Sequence, residues 1–164
     1  MKYAITGHSE GIGQGLYNRL SPNAIGFSLS HGYDITKKED RRRIISQVQD
    51  CDVFINNAPA GIGQTYMFIE LYKEWRNDPT KTIINVGSRI AEIDILPEDR
   101  IQLLEYQADK LILKEMSLRV PPSACKVNYR WFPYVGTKKI LAKYPHFTPD
   151  DYITIDQAID IILS

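Results

Sequence analysis

The chain has 164 residues, 43% of them hydrophobic and 24% charged, which predicts one globular domain, residues 1–164, with enough core to fold without disulfide or metal staples. Twenty basic and twenty acidic side chains cancel, an argument against nucleic acid or an anionic membrane as main partner and for a small ligand. Cys51, Cys125 and the three histidines are scattered, so local spacing builds no redox pair or metal site, and Met1-Lys2 leads into a strand-like run with no apolar leader, predicting a cytoplasmic address.

Lys2 to Thr6 reads as a β-rich run broken by Gly7, followed by a glycine-spaced stretch into Leu16, Tyr17 and Leu20 at helical spacing. Ser21-Pro22-Asn23 ends that helix, and Ala24 to Leu29 is a second short strand. Thr36 is placed to cap a helix, with Glu39 three residues on and Ile44, Ile45 and Val48 as its buried face. Asp52 to Asn56 is the next strand, and a helix from Thr65 to Trp75 carries Met67, Phe68, Leu71 and Trp75 as core or interface residues. Thr82 to Val86 is a further strand, Glu98 to Arg119 a long helix ended by Pro121-Pro122, Cys125 to Trp131 a strand, and a closing helix is capped by Thr154 or Asp156. This alternation predicts an α/β fold with a doubly wound parallel sheet, whose ligands sit beyond the carboxyl ends of the strands.

The first such end holds Thr6-Gly7-His8-Ser9-Glu10-Gly11-Ile12-Gly13. Glycines there permit a tight turn, close approach of backbone to a pyrophosphate, and packing of the helix on the strand with its positive N-terminus facing phosphate. No Gly-Lys-Ser/Thr ending follows, which disfavours an ATP or GTP loop. A Tyr-x3-Lys pair occurs three times, where chance gives about 0.7. Tyr33/Lys37 spans a turn and Tyr134/Lys138 crosses Gly136, whereas Tyr106/Lys110 lies within one helix, so its two side chains share a face.

The turn resembles the cofactor turn of the short-chain dehydrogenase/reductase family, and four further segments resemble that family in order. Asp34-Ile35-Thr36 is similar to its adenine-contacting acidic segment, and Asn56-Asn57-Ala58 to its Asn-Asn-Ala-Gly element. Asn85-Val86-Gly87-Ser88 with Tyr106 and Lys110 matches its Ser, Tyr-x3-Lys set, and Pro133 to Thr137 its Pro-Gly loop. The resemblance implies a Rossmann-like sheet of about six strands, cut short at the C-terminus, and NAD(P)-dependent oxidoreduction of a carbonyl or secondary alcohol. Tyr106 would be the general acid/base, Ser88 would hold the substrate oxygen and Lys110 would grip the cofactor ribose, its charge favouring the phenolate. Gly7, Ser9, Gly11, Ile12, Gly13, Ser30, Asp34, Ile35, Asn57, Ala58 and Thr137 would bind cofactor.

Ser30 and His31, rather than an acid, follow the second strand, which leans the choice between NAD and NADP slightly towards NADP; Lys37, Lys38 and Arg41 to Arg43 are available to help, although a solvated helix face is the commoner fate of such a cluster. Too few residues separate Leu29 from Asp34 for the usual crossover helix, and residues 93–97 form an extra loop placed to shape the substrate pocket. The family's helix-four Asn has no match, Gln64 being the nearest amide. The resemblance also implies a homodimer through helices 65–75 and 98–119. A catalytically silent dinucleotide-binding sensor on the same fold is the alternative.

Overall fold

The structure, a computed structural model, describes residues 1–94 and 96–164; Ile95, within the 93–97 loop, lies outside the described residues. Strands β1 (Tyr3–Thr6), β2 (Ala24–Phe27), β3 (Val53–Asn56), β4 (Thr82–Val86) and β5 (Lys126–Arg130) alternate with helices α1 (Gly11–Leu20), α2 (Lys38–Gln47), α3 (Ile62–Trp75), α4 (Leu104–Leu118), α5 (Lys138–Lys143) and α6 (Ile155–Leu163). All four strand pairings are parallel, in the order β2-β1-β3-β4-β5. The order reverses at β1, with β2 on one side and β3 on the other, and in sheets of this kind the crevice that takes a ligand lies beyond the carboxyl ends at such a reversal.

The pleat sorts alternate residues of each strand into two cores. Ala4, Phe54 and Ile83 pack with Ile44 of α2, Phe68, Leu71 and Trp75 of α3 and Leu113 of α4. Ile5, Ile55 and Ile84 face the other way, onto Leu16 of α1 and Ile159 and Ile162 of α6. Burying one such side chain contributes roughly 1.5–3 kcal/mol, so the two layers, more than helix propensity, hold these short elements in place. Met67, Phe68 and Trp75 belong to the core as expected, at 0%, 0% and 1% exposure.

Four elements differ from the sequence expectation. Among the described residues the sheet has five strands, not about six: with no crossover helix after β2, the segment at Asp34 to Thr36 forms no parallel strand, and Ile35 drops into the first core instead. Thr36 does not cap α2; its hydroxyl donates to Asp34 Oδ1 at 2.6 Å, and Lys37 takes the cap position. The predicted helix from Glu98 begins as a 3-10 turn, Glu98–Leu103, with Arg100 out of helical geometry, and becomes α-helical only at Leu104. The α5 helix was not expected; Thr137 caps it by accepting from the Ile140 N–H. The closing helix does carry its expected cap, a reciprocal pair between Thr154 and Gln157. No helix among the described residues is long and apolar enough to cross a membrane.

Candidate functional site

On its β1 side the crevice is closed by backbone packed on backbone. Gly7 turns the chain with a φ of +73°, and a Cβ on Gly13 would overlap the Gly7 carbonyl oxygen and lie 2.8 Å from Asn57 Nδ2. Only glycine lets α1 approach so closely. The buried Thr6 hydroxyl accepts from the backbone N–H of Asn57 (2.9 Å) and of Ala58 (3.1 Å), and Asn57 Nδ2 donates to the Thr6 carbonyl (3.1 Å), tying the ends of β1 and β3 together. Glu10, at the cap position of α1, makes no side-chain cap. The first-turn amides of Gly11, Ile12 and Gly13 are therefore without a side-chain acceptor, and this glycine cradle fits the pyrophosphate of a dinucleotide. Ser9 and Ile12 are half-buried on the turn, and the Thr137 methyl stands 3.3 Å from where a Gly11 Cβ would be, so the loop before α5 meets the turn.

The β2 edge is less open than expected. Asp34 Oδ1 is taken by the N–H (3.0 Å) and hydroxyl of Thr36, which hold its carboxyl below the usual range. Ile35 is buried, and its carbonyl accepts from Arg41 Nη1 at 3.0 Å. Arg41 itself is buried and paired with Glu70 of α3 at 2.8 Å, and Arg43 pairs with Asp40 at 2.7 Å. Their role is to fasten the shortened crossover, so neither is a free cation for a ligand. Ser30 and His31 lie on a 3-10 turn, Leu29–His31, directly after β2.

At the carboxyl end of β4, polar side chains take over. Asn56 Nδ2 donates to Asn85 Oδ1 (2.9 Å) and Asn85 Nδ2 to Ser117 Oγ of α4 (2.9 Å), all fully or almost fully buried. Gln64 of α3 donates from Nε2 to the carbonyls of Asn56 (2.7 Å) and Val86 (3.0 Å), and its Oε1 accepts from Lys110 Nζ at 2.6 Å. Lys110 also donates to the Val86 carbonyl at 3.2 Å and lies 5.6 Å from the Tyr106 ring centroid. Burial lowers the Lys110 ammonium to about 8, partly opposed by Asp109. Ser88, where β4 gives way to a 3-10 turn, stands beside the Tyr106 hydroxyl.

Ser88, Tyr106 and Lys110 do come together, the last two on one helix face as their spacing predicted and Ser88 as the resemblance implied, but the electrostatics differ. Burial pushes the Tyr106 phenol up, with the Ser88 hydrogen bond opposing it, although 38% of the residue's surface stays exposed. The expected lowering by Lys110 is not found, because that ammonium is directed to Gln64 and the Val86 carbonyl. Gln64 is the residue that sequence reasoning left without a role. Its signal was present: it lies four, seven and eleven residues before Phe68, Leu71 and Trp75, an amide on the buried stripe of α3.

No family model and no curated protein matches the chain. Solved structures do. A short-chain dehydrogenase from Burkholderia cenocepacia J2315 in complex with NADP superposes with a TM-score of 0.75 at 19% identity, covering 99% of this chain and 84% of that one. The closed form of a serine dehydrogenase complexed with NADP+ gives 0.76 at 15%, covering 99% and 88%, and a 3-alpha-hydroxysteroid dehydrogenase from Pseudomonas sp. B-0831 complexed with NADH gives 0.69 at 17%, covering 99% and 88%. This chain has the short-chain dehydrogenase/reductase fold. In its version of that fold, the glycine turn, the Thr6 to Asn57 brace and the Ser88, Tyr106 and Lys110 group all lie at the carboxyl ends of β1, β3 and β4, the end of such a sheet at which ligands bind.

Proposed function

We propose that the chain is a single-domain NAD(P)-dependent oxidoreductase acting on a carbonyl or secondary alcohol through Tyr106. The observation that carries this reading is the placement of the Tyr106 hydroxyl beside Ser88 and of its ring over Lys110, at the end of β4, on the same end of the sheet as the glycine cradle at β1. A bound nicotinamide supplies or accepts the hydride. In reduction, Tyr106 gives its phenolic proton to the substrate oxygen while Ser88 holds that oxygen by a hydrogen bond; oxidation of the alcohol returns the proton to Tyr106. A phenol is protonated near neutral pH, so Tyr106 is set to donate in reduction, and its burial acts in the same direction. Lys110 has three N–H donors and spends two on Gln64 and Val86, leaving one for the cofactor ribose. Gly7, Ser9, Gly11, Ile12, Gly13, Asn57 and Ala58 cradle the pyrophosphate side, Ser30, Asp34 and the Ile35 backbone the adenosine side, and Thr137 the nicotinamide side. The cofactor is NAD or NADP, with a lean to NADP.

Calorimetric titration with the oxidised and reduced forms of both dinucleotides, followed by a hydride-transfer assay over a panel of carbonyl compounds, tests this. Micromolar binding, with turnover lost about a thousandfold in Tyr106→Phe, supports it. No binding up to about millimolar, weaker than roughly −4 kcal/mol, overturns it. The Gln64 lock on Lys110 favours one other reading, a catalytically silent dinucleotide sensor; tight binding with no turnover at neutral or alkaline pH would select that.

A cytoplasmic homodimer belongs to the same proposal. Ile62 and Tyr66 on α3 and Leu104, Ile112, Met116 and Leu118 on α4 are exposed at 38–62%, an apolar face that a second copy would cover. Light scattering at micromolar concentration should report a dimer, and a monomer would remove that part.

A further inference from the structure

Ser88 caps the 3-10 turn Arg89–Glu92, its Oγ accepting from the Ile90 N–H at 3.4 Å. That bond uses an acceptor site and leaves the hydroxyl proton free to turn towards the reacting oxygen. Both ends of the turn are fastened to α4, the helix that carries Tyr106. Gln107 Nε2 donates to the carbonyls of Ile90 and Ile93, each at 3.1 Å, and Lys114 Nζ donates to Glu92 Oε2 at 2.6 Å. The other carboxylate oxygen, Glu92 Oε1, is buried with no partner, and so is the Tyr129 hydroxyl of β5. Tyr129 lies on Gly87, the residue before Ser88, where any Cβ would overlap its hydroxyl. Burial pushes the Tyr129 phenol up to about 12, the neighbouring Glu92 charge acts in the same direction, and the Ser88 backbone opposes them. An orphaned donor and an orphaned acceptor thus stand together against the turn that Ser88 opens.

Resting on the oxidoreductase reading above, we propose that Tyr129 and Glu92 are positioning residues for Ser88: the Tyr129 hydroxyl donates to Glu92 Oε1, Lys114 holds Oε2, and this chain of bonds from β5 to α4 fixes where Ser88 meets the substrate oxygen beside Tyr106. Such an anchor has a purpose here. A single 3-10 turn has poor internal hydrogen-bond geometry and does not hold itself, and Gly87, at its root, has no side chain to pack. A hydrogen bond that stabilises a reacting oxygen must be placed to within about half an ångström. Placing an acid among a phenol and an ammonium costs desolvation that apolar side chains would avoid; what the polar trio adds is direction. The orphaned atoms of Tyr129 and Glu92 are both buried, so their action on the substrate passes through Ser88.

The test uses Tyr129→Phe and Glu92→Gln in the whole protein, alone and together, each with and without Ser88→Ala, assayed with the ketone or aldehyde of the panel that the wild type reduces fastest. Phenylalanine keeps the ring on Gly87, and glutamine keeps the shape of Glu92 but offers one acceptor where the carboxylate offers two. Either single variant should lower kcat by about tenfold or more while KM and the dinucleotide dissociation constants stay within about threefold. In the Ser88→Ala background neither should lower kcat further, since the group they position is gone; a general loosening of the fold would lower both backgrounds alike. Urea unfolding supplies a readout that needs no turnover: the folding constant of the Tyr129→Phe, Glu92→Gln double variant should depart by about fivefold or more from the product of the single effects. Single variants within about twofold of wild-type kcat, losses that multiply with Ser88→Ala, or independent effects on unfolding overturn the positioning role and leave the oxidoreductase reading standing. A wild type that reduces no member of the panel, or a Tyr106→Phe variant as active as the wild type, overturns that reading, and the positioning role with it.

Discussion

The β1 and β4 sides of the crevice are built from different materials. Around Gly7 and Gly13 the chain is held by main chain in van der Waals contact with main chain. Around Gln64 and Lys110 it is held by buried side-chain polar groups that satisfy one another. The first side is sensitive to atoms added, because there is no space and backbone cannot yield. The second is sensitive to polar atoms removed, because each loss leaves a desolvated partner unpaired.

Gly13→Ala should have the largest effect, since its methyl must displace the Gly7 carbonyl or the Asn57 side chain. We expect a loss of ~3 kcal/mol or more in urea unfolding, together with loss of dinucleotide binding; wild-type stability would show that the turn can move and would break the contrast. Gln64→Leu keeps a similar volume but strips the acceptor from Lys110 and a donor from two carbonyls. Its expected cost is about 2–4 kcal/mol. Adding Lys110→Met to it should recover part of that loss, because the orphaned ammonium is gone, and strict additivity of the two changes would show that Gln64 and Lys110 do not act as a unit.

The pH dependence sharpens the same point. Burial lowers Lys110 to about 8 in the folded chain, against its ordinary value of 10.5. Between these values the unfolded chain binds the extra proton, so stability rises with pH across this window and is lost as pH falls through about 8, below which the contribution is flat. Unfolding free energies measured from about pH 7 to about pH 10.5 should show wild type gaining up to ~3 kcal/mol relative to Lys110→Met; parallel curves would mean that the ammonium is not desolvated. The smallest effect is expected outside the crevice, where Arg43→Ala breaks a pair with a half-exposed arginine and should change the melting free energy by less than ~0.5 kcal/mol.

What was readable in advance follows the same division. The five observed strands and the glycine turn rest on near-neighbour constraints: β-branched runs, glycines where a Cβ has no room, and a helix that must start at once. Tyr106 and Lys110 were recognisable as a pair because a four-residue step on one helix fixes their common face. Ser88 was picked out by the resemblance of its strand end to that of the family. The roles of Gln64, Asn56 and Asn85 were not legible, since their partners lie on other elements, 46 residues apart for Gln64 and Lys110. Arg41 read as one member of a basic run until α3 brought Glu70 to it across 29 residues. Thr36 was misassigned as a cap because α2 starts one residue later, with Lys37 at the cap position, and the Thr36 hydroxyl donates to Asp34, two residues away.

Sequence by itself determined the α/β class, the parallel order of alternating elements, the glycine cradle and the helix that presents Tyr106 above Lys110, all consequences of local sterics and periodicity. Tertiary structure alone decided which charges are spent and which remain: Arg41 on Glu70, Asp34 on Thr36, Lys110 on Gln64, and Lys114 on Glu92. Those outcomes depend on which side chains meet across the sheet and how much water leaves with them, and desolvation is a property of the packed chain.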